Sequence, residues 1–285
     1  VALNFIHVCN LRIADLTVRN PDSFSIRLGQ VSQFRIENIV FDHPITRPNQ
    51  DGVHVGGFCE DGTILHLSAS SPNTTNDDMV AFNADDDVKR AINLGMKRGF
   101  IRNMKVERLA GESVYTFVRL LSETQRLENI TISDISGGCR CYAINLNCWK
   151  FLPGSGDIRN VDISNINVKK AGDAAAFPLV DIHLGVQNLT IEDFRRPLSD
   201  GSPSPTLLVE NGWENSVELT GFSKGALERK SGKVLLGSGG IGRFHIDNNH
   251  LSFYSAMRFL QDMTLEVLEQ SRVRPGQSAA GERPN

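Results

Sequence analysis

Residues Ile101–Leu109 read IRNMKVERL, and this nine-position pattern recurs along much of the chain. Apolar residues alternate with polar ones, which is the periodicity of a β-strand, and the third position is Asn. A degenerate copy over residues 59–67 has Asp61 at the third position. Successive copies start about 23 to 31 residues apart, except for one interval of about 42, and such a period predicts a solenoid. The other clear copies begin at Val8, Val31, Leu127, Ile158 and Val186.

A second, shorter strand is predicted in each repeat, at residues 24–28, 53–55, 79–82, 114–118 and 142–146. Each repeat would form one coil of the solenoid, with its inward Ile, Val and Leu packed against the coils above and below. Asn at one fixed place per coil can bond its equivalent in the next coil. We therefore predict an all-β fold, a right-handed single-stranded parallel β-helix over residues 1–250. Because the chain starts at Val1 directly in strand-like sequence, we expect that N-terminal coils are missing.

The C-terminal part of the chain loses the repeat. Lys233–Leu236 and Arg243–Ile246 are candidates for final coils. Apolar residues at helical spacing between Phe253 and Leu268 predict a helix over residues 251–271 that caps the open end of the solenoid. Residues 272–285 are rich in Pro, Gly, Ser and Ala, which predicts a disordered tail.

Composition and charge argue against several classes of function. The net charge is −3 and the basic residues are scattered, so we predict no nucleic-acid partner. No apolar run approaches the ~18 residues of a membrane helix, so we predict no membrane partner. The five cysteines form an odd, sparse set that favours buried thiols over a disulfide framework or a zinc site. We predict no cofactor and no metal, and the oligomeric state stays open.

Three carboxylates precede two neighbouring short strands. Residues Asn49–Val53 read NQDGV, and residues Asn76–Val80 read NDDMV. Neighbouring strands lie roughly 4.8 Å apart, so Asp51, Asp77 and Asp78 should form one cluster in which one acid keeps its proton at neutral pH. A proton donor beside two bases is what glycosidic hydrolysis requires. The alternative is structural, since an Asp at a turn often caps backbone N–H groups.

The repeat and these two stretches together resemble glycoside hydrolase family 28, the polygalacturonases and their relatives. That family carries Asn-Thr-Asp-Gly-Ile on one coil and Gly-Asp-Asp-Cys-Ile on the next, and the resemblance covers roughly Leu11–Leu146. It implies inverting hydrolysis, with Asp77 as general acid and with Asp51 and Asp78 holding and deprotonating the attacking water. An inverting pair of carboxyl groups is expected roughly 6.5–9.5 Å apart.

Two motifs of that family are absent. Where the family has Gly-His-Gly, residues 111–113 read GES, so Glu112 is the candidate replacement for the histidine. Where the family grips a substrate carboxylate with Arg-Ile-Lys, residues 145–147 read NLN. Asn145 and Asn147 are therefore either substrate contacts or ordinary polar residues of a strand and turn. The loss of both cations argues against simple galacturonan as the substrate.

Further candidate substrate contacts lie near the short strands. Arg119 or Arg140 could restore the missing positive charge, and Arg27 is a weaker candidate that we interpret as an exposed strand residue. We interpret Phe24, Tyr115 and Tyr142 as packing residues, because aromatic residues on strands pack in the protein more often than they stack on sugar rings. Trp149 is the aromatic residue that we expect to project into a groove. The remaining candidates are Asn49, at the start of the first acidic stretch, and His54, behind the acids.

The long interval between repeats contains an insertion, Asn83–Arg98, with three consecutive acids at residues 85–87. We interpret it as a solvated loop, with a Ca²⁺ site or a wall of the groove as alternatives.

We expect a glycosidase acting on a carbohydrate polymer or oligosaccharide, such as a pectin-like cell-wall component, and secreted or periplasmic. Two alternatives stay open. One is a polysaccharide lyase, which needs Ca²⁺ or a basic Lys or Arg. The other is a non-catalytic, sugar-binding or tailspike-like β-helix, because parallel β-helices host all three functions.

Overall fold

Inward apolar side chains of successive repeats stack on one another. In the computed structural model, Ile13 lies beside Ile36, Ile36 beside Ile64, and Ile64 beside Val106, all in parallel strands. These four side chains are buried. The chain therefore has a nearly all-β fold with a long, mostly parallel sheet, which is consistent with a β-helix.

The structure describes residues 1–171, 177–197, 200–210, 217–220, 227–230, 233–237 and 240–246. The predicted helix at residues 251–271 and the predicted tail at 272–285 lie outside these residues. One short 3₁₀ helix, Ala91–Asn93, lies in the insertion. The strands are β1 (Leu3–Ile6), β2 (Cys9–Arg19), β3 (Ile26–Gly29), β4 (Ser32–Asp42), β5 (Val53–Val55), β6 (Cys59–Ala69), β7 (Asp78–Asn83), β8 (Ile101–Leu121), β9 (Arg126–Leu146), β10 (Asp157–Lys170), β11 (Val180–Ile182), β12 (Val186–Arg195), β13 (Leu207–Val209), β14 (Val217–Thr220), β15 (Leu227–Lys230), β16 (Lys233–Leu236) and β17 (Ile241–Ile246).

Two rows of parallel strands run along the molecule. The repeat strands β2, β4, β6, β8, β9, β10 and β12 form one row. The short strands β3, β5 and β7 form the other, which continues through the second halves of β8 and β9. The strands predicted at residues 114–118 and 142–146 are therefore confirmed as strand but are not separate elements. β8 carries register shifts between Gly111 and Val114 and between Val114 and Thr116, where one row gives way to the other.

The polar residue at the third repeat position forms a ladder on the surface, as predicted. The side-chain amide of Asn103 donates to Asp61 (2.9 Å), and Asn129 donates to Asn103 (3.1 Å). Asn160 and Asn188 continue the ladder at 3.2 and 3.0 Å. Each of the five residues has a φ between 50° and 57°, in the left-handed region that Asn and Asp tolerate better than other residues with a Cβ. The ladder fixes where each coil bends.

Replacing Asn129 by Ala should lower the free energy of unfolding by about 1–3 kcal/mol, because two ladder hydrogen bonds are lost and Ala is strained at this φ. Asn129→Gly loses the same hydrogen bonds without the backbone strain, so it should cost less. Urea titration of both variants measures the two contributions. An Ala variant as stable as the wild type would contradict the role of the ladder.

The parallel stacking does not continue to the last described strands. β16 pairs antiparallel with β13, and β17 pairs antiparallel with β12. The prediction that these two segments are final coils is therefore wrong. Alternation of polar and apolar residues predicts a strand but carries no information about the direction of its partner.

Two expectations from composition can be compared with the structure. All five cysteines are free, and four of them are buried, as predicted, whereas Cys9 is exposed. The described part of the chain contains no helix that is long and apolar enough to cross a membrane.

Candidate active site

The backbone of two adjacent coils brings the three acids together. The amide of Gly52 donates to the carbonyl of Asp78 (2.9 Å), and Val53 pairs with Val80 where β5 meets β7. One carboxylate oxygen from each of Asp51, Asp77 and Asp78 lies within 4.8 Å of the other two. The predicted clustering of the three acids is therefore confirmed, with Asp51 and Asp78 buried and Asp77 half-buried.

Gly52 allows this close approach. A Cβ at this position would lie 2.4 Å from the carbonyl oxygen of Met79 and 2.7 Å from the ring of Phe41. The second acidic stretch, Asn76–Val80, can therefore pack this closely only because Gly follows Asp51 in the first stretch. The nearest oxygens are also closer than the roughly 6.5–9.5 Å expected between the carboxyl groups of an inverting pair.

The surroundings of Asp77 and Asp78 give these two acids different pKa values. Burial, with the nearby charges of Asp78 and Asp51, raises the pKa of Asp77 to about 8. Burial also raises the pKa of Asp78, but Arg119 opposes this and leaves the value at about 6. At neutral pH, Asp77 therefore keeps its proton while Asp78 is mostly ionised.

The contribution of Asp77 to the stability of the protein should fall as the pH rises from about 4 to about 8. The pKa of Asp77 is raised in the folded state above its usual value of 3.8, so the folded protein holds this proton more tightly than the unfolded chain does. The stabilisation is complete at low pH and is lost as the pH passes through about 8. Asp77→Asn has no such proton to lose, so its unfolding free energy, measured by urea titration across this range, should decline less. A decline as steep as that of the wild type would contradict the raised pKa.

His54 lies behind Asp51 and is buried. Its Nδ1 is 2.7 Å from Oδ2 of Asp51, and its Nε2 is 2.7 Å from Oδ2 of Asp86. Its ring stacks on Phe24 with 4.2 Å between the centroids. Burial by itself lowers the pKa of His54, but Asp86 and Asp51 outweigh it and raise the pKa to about 10. His54 is only 2% exposed and does not line the groove beside the acids, so it supports Asp51 from the side away from the groove and does not contact substrate directly, in line with its interpretation as a residue behind the acids.

An open groove of about 610 Å³ runs along the acid cluster. Asp51 is 3% exposed and does not line the groove, so among the three acids it lies behind Asp77 and Asp78. The predicted residues that line the groove are Asn49, Asp77, Asp78, Arg119, Asn145, Asn147 and Trp149. Tyr115 and Tyr142, interpreted as packing residues, also line it. Sequence reasoning missed Asn76 and Phe177, although Asn76 directly precedes the two acids and could have been included on that ground.

Arg119 is the cation of the groove nearest to the acids. Its Nη1 lies 3.5 Å from Oδ2 of Asp78, and its neighbour on the next strand is Asn145. Asn147 donates to Oδ2 of Asp181 (3.0 Å), one coil further on. Trp149 is 87% exposed at the rim. The groove therefore combines one cation, amide side chains and aromatic surfaces next to the acids.

Two predicted substrate contacts lie elsewhere. Glu112 is exposed, pairs with Lys169 (3.5 Å) and does not line the groove, so it does not replace the histidine of the resembled family. Arg140 lies over the ring of Tyr115 and donates to Oδ1 of Asn76 (2.8 Å). It does not line the groove, but it contacts two residues that do, Tyr115 and Asn76.

The insertion is anchored to the solenoid, and the prediction of a solvated loop is wrong for two of its three acids. Asp85 is buried and accepts from the amides of Glu123, Thr124 and Gln125 at 2.6–2.8 Å. Asp86 is buried against His54. Burial of these carboxylates is possible because each of them has partners that replace water.

Arg27 is also buried, which contradicts its interpretation as an exposed strand residue. Its guanidinium donates to Oδ1 of Asn4 (2.9 Å) and to the carbonyls of Ile92 and Leu94 in the insertion. The insertion therefore covers the first coils, where Arg27 and His54 lie side by side on neighbouring strands.

Comparison with known proteins identifies no relative from which a function could be transferred. The functional assignment therefore depends on the side chains of the site and their geometry. No family model, curated protein or solved structure matches the chain.

Proposed function

We propose that the protein is a glycosidase that hydrolyses a carbohydrate polymer or oligosaccharide with Asp51, Asp77 and Asp78. One observation carries the proposal: a half-buried acid with a raised pKa, Asp77, lies within 4.8 Å of two further carboxylates at an open groove. An acid that is protonated at neutral pH beside ionised carboxylates is suited to protonate a glycosidic oxygen while water is activated.

Each acid then has its own role. Asp77 faces the groove and donates its proton to the leaving oxygen. Asp78, paired with Arg119, and Asp51, paired with His54, hold and deprotonate the attacking water. Inversion at the anomeric carbon follows if water attacks directly. The acids are close together, however, and the carboxyl groups of retaining enzymes are about 5–5.5 Å apart. The configuration of the released sugar should therefore be measured to distinguish inversion from retention.

The scaffold that we propose for this site is a right-handed single-stranded parallel β-helix built from the parallel strands between residues 3 and 209. Crossovers between parallel strands are right-handed in about 98% of cases, which supports the handedness. The two parallel rows of strands described above support the coil arrangement.

The substrate that we propose is pectin-like or another polysaccharide, but not simple galacturonan. Asn145 and Asn147 line the groove where the resembled family has two cations, and Arg119 is already paired with Asp78. A sugar that offers hydroxyl or amide groups suits the asparagines, and Tyr115 or Trp149 can stack on a sugar ring. A secreted or periplasmic location is consistent with such a substrate.

Incubation with a panel of polysaccharides and aryl glycosides tests the proposal. We expect new reducing ends without the near-ultraviolet absorbance of an unsaturated sugar, and no loss of activity with a chelator. Binding of a panel member without turnover would instead favour the sugar-binding or tailspike-like alternative.

A polysaccharide lyase is the second candidate, favoured by the same three carboxylates. Their oxygens are close enough to bind one hard cation such as Ca²⁺, and Arg119 lies next to them. Nearby acids outweigh burial and raise the pKa of Arg119, however, which makes it a poor base for proton abstraction. Chelator-sensitive release of an unsaturated product would establish the lyase and overturn the hydrolase.

A further inference from the structure

Both ring nitrogens of His54 face a carboxylate, and the two carboxylates come from distant parts of the chain. Asp51 lies just before β5, whereas Asp86 belongs to the insertion. We propose that His54 and Asp86 are positioning residues that keep Asp51 ionised and fixed in orientation, so that the one proton of the acid cluster stays on Asp77. The kinetic part of this proposal depends on the proposed glycosidase function, but the protonation state of His54 does not.

The hydrogen-bond geometry fits a charged ring between two carboxylates. A neutral imidazole has one N–H, so one of its nitrogens would present a lone pair to a carboxylate at 2.7 Å. With both nitrogens protonated, the ring donates to Asp51 on one side and to Asp86 on the other. The parallel stack on Phe24 holds the plane of the ring, so the orientation of the Asp51 carboxylate is held as well.

The cations around the cluster are distributed unequally among the three acids. Asp51 is paired with His54, and Asp78 is paired with Arg119. Among the described residues, Asp77 has no cation within 4.0 Å. The acid without a paired cation is the one for which ionisation costs most, so the proton of the cluster belongs on Asp77.

The other charged groups that face His54 leave this balance in place. Asp78 lies across the cluster and its charge favours the imidazolium further, whereas Asp77 is protonated at neutral pH and adds no charge. Arg27, on the neighbouring strand, opposes it, but its guanidinium is turned to Asn4 and to carbonyls of the insertion. Asp86 is itself fixed, since its backbone carbonyl accepts from Nε of Arg98 (3.1 Å). The insertion therefore supplies a charge to the site in addition to covering the first coils.

Nitrogen-resolved NMR of the imidazole groups of the wild-type protein tests the charge without any substrate. We expect His54, assigned by the loss of its signals in His54→Gln, to be protonated on both nitrogens at pH 7 and still at pH 8. A single neutral tautomer at pH 7 would overturn the proposal. This result is independent of turnover, so it stays decisive if the glycosidase function fails.

Asp86→Asn tests the positioning role, with Asp87→Asn as the matched control in the same loop. Removal of the Asp86 charge should lower the pKa of His54, weaken its support of Asp51, and move the acidic limb of the pH–rate profile up by about one unit, a tenfold change in proton affinity. At pH values below that limb, kcat should fall about tenfold with little change in KM, because neither residue touches the substrate. Asp86→Glu should recover part of the loss. An Asp86→Asn profile identical to that of Asp87→Asn would overturn the proposal, and if Asp86→Asn does not fold, the wild-type NMR result decides.

Discussion

Replacing Asp77 by Asn should lower kcat by about 10²- to 10⁴-fold, the range that general acid catalysis contributes, with little change in KM. Asn has the shape of Asp but cannot donate a proton to the leaving oxygen. Asp77 is only half-buried at the edge of the groove, so the variant should fold. Reducing-end release from the best substrate of the panel measures the effect.

Asp61→Asn is the control for this substitution. Asp61 is also an acid at a bend between coils, but it lies in the surface ladder, where Asn103 and Asn129 occupy the equivalent positions. We expect wild-type turnover from this variant. Comparable activity in the Asp77 and Asp61 variants would show that the acid cluster has no catalytic role.

Replacing Asp85 by Ala should lower the free energy of unfolding by about 3–5 kcal/mol. Its carboxylate accepts three backbone amides and the hydroxyl of Thr124 at 2.6–2.9 Å. Each buried donor left without an acceptor costs about 1–3 kcal/mol, and hydrogen bonds to a charged group are at the strong end of the range. Urea titration at neutral pH measures the loss.

Asp87→Ala provides the comparison. The carboxylate of Asp87 accepts a hydrogen bond from the amide of Lys89 at 3.2 Å, in an exposed setting. Its loss should cost less than about 1 kcal/mol. Equal stability of the two variants would mean that Asp85 does not anchor the insertion to the loop at residues 122–125.

Much of the fold could be predicted because the information is local and repeated. Alternation of apolar residues specifies which side chains of β2, β4 and β6 face inward, and repetition specifies that these strands stack in register. The Asn ladder could be predicted for the same reason. The clustering of the three acids could be predicted from the same repetition, because two similar stretches at equivalent places on adjacent coils lie next to each other.

Other features depend on contacts that no local pattern encodes. The sequence pattern of Asp85 and Asp86 is that of acids in a solvated loop. In the structure the insertion folds back, so that these acids contact residues 123–125 and His54. Within a three-residue strand, alternation cannot decide whether His54 faces the groove or is covered by another segment. The antiparallel pairing of β16 with β13 and of β17 with β12 could not be predicted either, because direction is a property of the pair of strands. In each case the missing information was which distant segment is the neighbour.

The most direct measurement of the central claim is a double-mutant cycle on kcat/KM with Asp51→Asn, Asp77→Asn and the double variant. If the carboxylates of the two adjacent coils act as one unit, the double variant should lose little more than the worse of the two single variants. If the losses multiply, or if both single variants retain wild-type turnover, the acids of the two coils do not form one catalytic site.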